Sequence, residues 1–279
     1  MHQSLRASRR RNEREMFPRP SSFAMASPAK VILLACGSFN PVTNMHLRMF
    51  ELARDQLNKT GRYEVIGGII SPVSDGYRKE GLVTAKHRCA MLRLALKTSD
   101  WVRLDTWECE LKEWSRTERV LSHHRKALLS HINDNIKPGP TKKRKNVHKS
   151  NGDESVNTTP KITVEDDAVQ VKLLCGADLL ESFAVPGLWL DEDIEEIVGS
   201  YGLVCISRSG TNAQKFIYES DVLTKFQSNI FVITEWIYND ISSTKIRRAL
   251  RRQESVKYLI QDSVIEYVRK HQLYGVPDK

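Results

Sequence analysis

The sequence predicts an α/β fold, a doubly wound and mainly parallel sheet held between two helical layers, and three observations lead there. Short runs rich in Val, Ile, Leu and aromatic residues alternate with helix-patterned segments. The alternation continues along nearly the whole chain, an order that implies a parallel sheet covered on both faces. The chemically unusual residues fall directly after the apolar runs, as they do when a ligand binds beyond the carboxyl ends of the strands. At 279 residues the chain can fill one substantial core, so a single three-layer domain of Rossmann-like type is expected.

Residues 1–29 are Arg- and Ser-rich without sustained periodicity and read as a flexible basic extension, with Met25 an alternative start. The folded domain is expected over 30–276. Its first strand, 31–35, is apolar throughout, as a strand buried on both faces must be. It leads through Gly37-Ser38-Phe39-Asn40-Pro41 into a helix over 44–58. A strand over 63–70 precedes the loop from Ser71 to Lys79 and a helix over 84–98. The strand at 101–105 precedes a helix expected over 110–130. Residues 132–168 carry Pro138-Gly139-Pro140, a lysine cluster and a polar run from Ser150 to Ser155. They read as a disordered basic loop inserted into the domain, because the sheet needs strands from both sides of it. Strands follow at 170–175, 202–207 and 229–234, with helices at 177–183, 191–200, 219–226, 243–252 and 263–271.

The formal net charge is +9, and its distribution limits what it can mean. Residues 1–30 hold seven Lys/Arg against Glu13 and Glu15, and residues 137–149 hold six and no acid; subtracting both leaves −2 for the rest. A basic groove across the fold is therefore not expected, nor is a specific nucleic-acid partner. No apolar run approaches the roughly 18 residues of a membrane helix, and no secretory apolar centre is present, so a soluble intracellular protein without a membrane partner is expected. Cys36, Cys89, Cys109, Cys175 and Cys205 form no C-x-x-C pair and read as small core residues of a reducing compartment. His123, His124 and His131 lack metal-ligand spacing, so no protein-borne metal site is expected. Lys142-Lys143-Arg144-Lys145, in the inserted loop, has the size of a nuclear-import signal and points to a nuclear location and an import carrier as partner.

Two segments carry the chemistry. Gly37 to His46 follow the first strand and open a helix. A strand, a glycine turn and a fresh helix N-terminus together make an anion site, with His46 adding a side-chain donor. The plainer alternative is an ordinary strand-to-helix turn with a surface histidine. In Ile241-Ser242-Ser243-Thr244-Lys245-Ile246-Arg247 the hydroxyls stand before a helix and can either cap it or hold phosphate oxygens. Arg247, one turn in, can reach over the same end. Here the alternative is a well-capped helix whose basic face continues through Arg248, Arg251 and Arg252.

Taken together, Gly-x-Phe-x-Pro-x-x-x-x-His near the start and Ile-Ser-Ser-Thr-x-x-Arg near the end resemble the nucleotidyltransferase superfamily. More closely, residues 34–48, 173–183 and 239–250 are similar to the animal nicotinamide mononucleotide adenylyltransferases. The resemblance runs from about Val31 to Tyr274 apart from the basic loop, which looks like that of the nuclear isoform. It implies transfer of the adenylyl group of ATP to nicotinamide or nicotinate mononucleotide, with Mg²⁺ as the cation accompanying ATP and a homo-oligomer as the assembly. By the same resemblance His46, Lys79 and Arg247 would be catalytic. Gly37, Ser38, Phe39, His46, Gly176, Asp178, Ser243, Thr244, Lys245, Ile246 and Arg247 would bind ATP. Ser38, Tyr77, Lys79, Trp114, Thr117, Leu188 and Trp189 would bind the mononucleotide, with the tryptophans stacking on the pyridine. Arg208, Glu235 and Asn239 match further nucleotide-binding positions. The chain departs from the superfamily's His-x-Gly-His in keeping only the second histidine, and Glu80 stands where a further lysine is expected.

Overall fold

The computed structural model describes residues 27–136, 169–207 and 212–276. Among these, β1 (Ala29–Gly37), β2 (Tyr63–Pro72), β3 (Val102–Leu104), β4 (Gln170–Gly176), β5 (Leu203–Ser207) and β6 (Ile230–Thr234) form one sheet. Its order is β3-β2-β1-β4-β5-β6, and all pairings are parallel. The winding direction therefore reverses between β1 and β4, which opens a crevice at their carboxyl ends. Each strand lies within two residues of the run read from the sequence.

Strand alternation divides the core in two. Val31, Leu33 and Ala35 of β1 face one side with Leu174, Val204 and Ile206. Ile32 and Leu34 face the other with Val171, Leu173, Leu203 and Cys205. The first layer is closed by α1 (Asn44–Lys59), α2 (Ala85–Ala95), α9 (Ser243–Arg251) and α10 (Asp262–Lys270). The second is closed by α4 (Thr117–Ile136), α5 (Ala177–Ser182), α6 (Asp191–Glu196), α7 (Ala213–Glu219) and α8 (Asp221–Lys225). A single-turn helix, α3 (Trp107–Glu110), follows β3. Apolar side chains thus leave water on both faces of every central strand, which is the main favourable term for this architecture.

Four helix boundaries differ from the sequence reading. The helix expected over 110–130 is two helices, because Leu111 leaves α3 in an extended conformation and residues 111–116 form a loop before α4. α4 then continues to Ile136, inside the segment read as loop from residue 132. The helix expected over 219–226 is the shorter α8, and a separate helix, α7, precedes it where none was expected. Ser220 is extended between α7 and α8, and its hydroxyl accepts the Leu223 N–H, while Asn212 caps α7 through the Lys215 N–H. Last, the helix begun at Asp191 loosens into a π turn over Ile197–Tyr201. The basic extension at 1–26, the lysine cluster at 142–145 and Arg208 lie outside the described residues. Among those described, no helix is long and apolar enough to cross a membrane.

Candidate active site

The turn after β1 is built more tightly than an open anion nest. Thr43 is the N-cap of α1 and His46 its third helical residue, and the two close a capping box. The Thr43 N–H donates to His46 Nδ1 at 3.0 Å, with Thr43 Oγ1 at 2.8 Å from the same nitrogen. A backbone N–H can only donate, so Nδ1 is an acceptor and the neutral ring carries its proton on Nε2. Of the backbone N–H groups expected to face a ligand, three at the start of α1 are spent inside the protein. The amides of Thr43, Asn44 and His46 are already taken by the His46 ring, the Leu259 carbonyl and the Thr43 carbonyl. The conformational demand also falls elsewhere than on Gly37. A Cβ on Gly37 would meet only the Phe39 ring at an ordinary 3.5 Å, whereas Phe39 itself is at φ 45°. The Phe39 ring meets His46 edge-on, with centroids 5.2 Å apart.

The second motif docks directly on this turn. Ser242 is the N-cap of α9. Ser243 Oγ donates to the Pro41 carbonyl at 2.8 Å, and Arg247 donates to the Asn40 carbonyl at 2.7 Å and to Thr244 Oγ1 at 3.3 Å. Two segments some two hundred residues apart are therefore held in contact at the carboxyl edge of β1. Partial burial lowers the pKa of the Arg247 guanidinium. Ile246 is buried in the core, and its N–H is taken by the Ser242 carbonyl. Lys245 is exposed and paired with Asp240.

The loop after β2 joins the same edge through a residue that sequence reasoning missed. Arg88, on α2, is 0% exposed. It donates to the carbonyls of Ser38, Val73 and Val83 at 3.1, 2.6 and 3.0 Å and to Asp75 Oδ1 at 3.1 Å. One guanidinium thus ties the β1 turn to the segment that leads to Tyr77 and Lys79, both exposed. The signal was present: Arg88 falls in the apolar stripe Ala85, Cys89, Leu92, Ala95, all buried. Asn40 is a second unforeseen hub. Its side chain donates to the Gly81 carbonyl and accepts from the Val83 N–H and the Tyr274 hydroxyl. Glu108 is a third: it is buried, accepts from Ser71 Oγ at 2.7 Å, and burial pushes its carboxyl up to about 7. Glu80 is exposed.

The remaining expected residues lie along this edge with unequal roles. Trp114 is 46% exposed and its ring centroid is 6.2 Å from that of Tyr77. Arg116 pairs with both carboxylate oxygens of Asp193 at 3.1 Å, which ties the loop carrying Trp114 to the helix that follows Trp189. Trp189 donates to Ser182 Oγ and packs edge-on to Phe183; Leu188 beside it is exposed. Thr117 begins α4. Gly176 ends β4 beside Asp178, whose Oδ1 lies 2.5 Å from where a Cβ on residue 176 would stand, so a larger residue there would turn the Asp178 carboxylate aside. Glu235 is buried and occupied, accepting from Arg48 and from the Ile237 N–H. Asn239 accepts from the Ile241 N–H and lines a cleft of about 500 Å³ with Arg48, Glu51 and Trp101, which contains neither His46 nor Arg247. Among the described residues no group of three or more His, Cys, Asp or Glu is arranged to hold a metal ion.

Comparisons with known proteins identify the family. The cytidylyltransferase-like family model matches residues 34–249. The chain is 55% identical over 250 residues to bovine nicotinamide/nicotinic acid mononucleotide adenylyltransferase 1, covering 88% of this chain and 89% of that protein. It is 48% identical to the Drosophila melanogaster nicotinamide-nucleotide adenylyltransferase, over 90% of this chain and 62% of that protein. Against rat nicotinamide/nicotinic acid mononucleotide adenylyltransferase 2 the identity is 41%, over 88% of this chain and 96% of the relative. With the parallel sheet, the turn at Gly37–His46 and the docked helix at Ser243–Arg247 in place, this chain belongs to the cytidylyltransferase-like family and, within it, to the nicotinamide/nicotinic acid mononucleotide adenylyltransferases.

Proposed function

We propose that the protein transfers the adenylyl group of ATP to nicotinamide mononucleotide, and also to nicotinate mononucleotide, giving NAD or its deamido form and pyrophosphate. The observation that carries the reading is the clasp of Ser243 and Arg247 on the carbonyls of Pro41 and Asn40. It brings the hydroxyls and guanidinium of one motif to the turn that leads into His46 of the other.

The acceptor phosphate is already a nucleophile, so its oxygen attacks the α-phosphorus of ATP as the bond to the bridging oxygen breaks. No general base or covalent intermediate is needed, and the protein supplies alignment and charge stabilisation. His46, with Nδ1 held by Thr43, offers Nε2–H as a hydrogen-bond donor to the triphosphate. Ser243 and Thr244 open α9, where first-turn N–H groups lack intrahelical acceptors, and with Arg247 they favour the leaving pyrophosphate. Lys245 and Ile246 contribute from the same turn. Lys79 adds positive charge from the loop after β2, and Gly37, Ser38 and Phe39 line the approach. Gly176 and Asp178 face the adenosine side. Tyr77, Trp114, Thr117, Leu188 and Trp189 receive the pyridine mononucleotide. Arg208, Glu235 and Asn239 add further nucleotide contacts, Glu235 through its grip on Arg48. The Thr244 hydroxyl, the imidazole and the guanidinium are donors that suit a triphosphate, and the Mg²⁺ accompanying ATP would neutralise phosphate charge there. The catalytic domain spans 30–276, interrupted by the basic insertion. The lysine cluster of that insertion directs an import carrier and a nuclear location, and the chain acts as a homo-oligomer.

The test mixes the full chain with Mg-ATP and nicotinamide mononucleotide and follows dinucleotide and pyrophosphate together by chromatography. Equal amounts of both are expected, with turnover lost in a folded His46→Ala variant by a factor of about a hundred or more. A near-normal rate in that variant would remove His46 from the mechanism. Absence of product from a folded, ATP-binding wild type would overturn the assigned acceptor.

A further inference from the structure

Two cysteines that the transfer reaction does not use lie with their sulfurs 3.4 Å apart, Cys89 on α2 and Cys109 on α3. Both are free thiols. A disulfide has a sulfur–sulfur distance near 2.05 Å, so closure needs a movement of about 1.4 Å. The surroundings differ from those of the other cysteines. Cys175 and Cys205 face each other across the β4–β5 register inside the core, whereas Cys109 is only half-buried.

The pair also stands where a small movement reaches the site. Cys109 Sγ donates to the Pro72 carbonyl at 3.0 Å, the last residue of β2 before the loop that carries Tyr77 and Lys79. Its neighbour Glu108 holds Ser71, and the neighbour of Cys89 is Arg88, which holds Val73 and Asp75. Gly76 of the same loop lies so close to the strip carrying Trp114 that an added Cβ would stand 2.8 Å from the Trp114 nitrogen. When Cys89 is a thiolate the single Cys109 S–H can turn from Pro72 to it; that hydrogen bond, against the opposing effect of burial and with help from Arg93 and Arg88, brings the Cys89 thiol down to about 7. Thiolate is the reactive form of cysteine.

We propose that Cys89 and Cys109 are a reversible disulfide site, closed by hydrogen peroxide, and that closure weakens mononucleotide binding by pulling Cys109 off the Pro72 carbonyl. The second half rests on the transferase reading above. In the first step the Cys89 thiolate attacks a peroxide oxygen, an S–O bond forms, the O–O bond breaks and hydroxide leaves, taking the Cys109 proton to become water. The Cys109 thiolate then attacks the sulfenic sulfur; the S–S bond forms, the S–O bond breaks and hydroxide leaves, to be protonated by solvent. Two thiols are oxidised and one peroxide is reduced to two waters.

To test this, the full chain is treated with hydrogen peroxide, alkylated with iodoacetamide in denaturant, digested and mapped by mass spectrometry. The expected product joins the Cys89 and Cys109 peptides, lighter than their sum by two hydrogens and separated by dithiothreitol, with Cys36, Cys175 and Cys205 alkylated. Recovery of both cysteines as alkylated thiols, or as sulfinic acids, would overturn the site. In parallel, KM for nicotinamide mononucleotide is expected to rise about threefold on oxidation, to return on reduction, and to stay constant in Cys109→Ser, which keeps a donor for Pro72. An unchanged KM in fully crosslinked protein overturns the link to the pocket. If reduced protein makes no dinucleotide, the transferase reading fails while the mass map still decides the disulfide.

Discussion

Lys172 places an ammonium in the middle of the sheet with no carboxylate to meet it. It is 2% exposed, bonded to Asn229 Oδ1 at 3.1 Å and the Tyr201 carbonyl at 3.4 Å, and its Nζ lies 5.2 and 5.5 Å from the ring centroids of Tyr63 and Phe231. Burial lowers its pKa from 10.5 to about 8. Because the folded state disfavours the charged form, unfolding takes up a proton between about pH 8 and pH 10.5. The cost is therefore full below pH 8 and fades as pH rises to 10.5, and the span corresponds to about 3 kcal/mol. Lys172→Met removes this dependence and leaves Asn229 Oδ1 unpaired, a cost that does not vary with pH. In urea melts, the stability of the variant minus that of wild type should fall by about 2 kcal/mol or more between pH 7 and pH 10.5. A difference that does not change with pH would mean that folding leaves the Lys172 ammonium with its unfolded pKa, so that burial carries no penalty there.

At the scale of elements, α2 acts through Arg88 more than through its apolar face. Arg88→Lys keeps the charge but replaces a planar fork by a single nitrogen, which cannot reach the carbonyls of Ser38, Val73 and Val83 together. Buried acceptors left without partners should cost about 2–4 kcal/mol. In thermal melts and steady-state assays the variant is expected to lose that stability and about tenfold in kcat/KM. A destabilised variant with unchanged kinetics would restrict Arg88 to a structural role. The six strands were legible because strands buried on both faces leave continuous apolar runs, as from Val31 to Ala35. What the sequence hid were interruptions decided by single residues: the extended backbone at Leu111 and the cap at Ser220, each set in otherwise helical patterns. The site was legible as two motifs. It was not legible that Thr43 and His46 would spend the first amides of α1 on each other, nor that an arginine in a helix would be its most buried large side chain.

Across the whole molecule the charge and the fold are separable. The basic residues concentrate in 1–30 and 137–149 and leave the remainder at −2, so the domain does not depend on them for its core. Replacing 137–168 by a short Gly/Ser linker is expected to leave adenylyl transfer within about twofold of wild type. Cell imaging of a fluorescent fusion should then find nuclear accumulation lost. Normal import without the insertion would transfer the signal elsewhere, and loss of activity would make the insertion part of the catalytic unit.

The clasp between the Asn40–Pro41 turn and α9 also sets an order in time. A chain emerging from the ribosome presents β1, its turn and His46 early, and the sheet can assemble as far as β6 while Ser243 and Arg247 are still inside the exit tunnel. The turn gains those two bonds only once α9 has left the tunnel. Every prematurely terminated product that stops before α9 therefore carries the first half of the site without the second. Such fragments should be inert, so the chain begins to work only once α9 has been made and has docked.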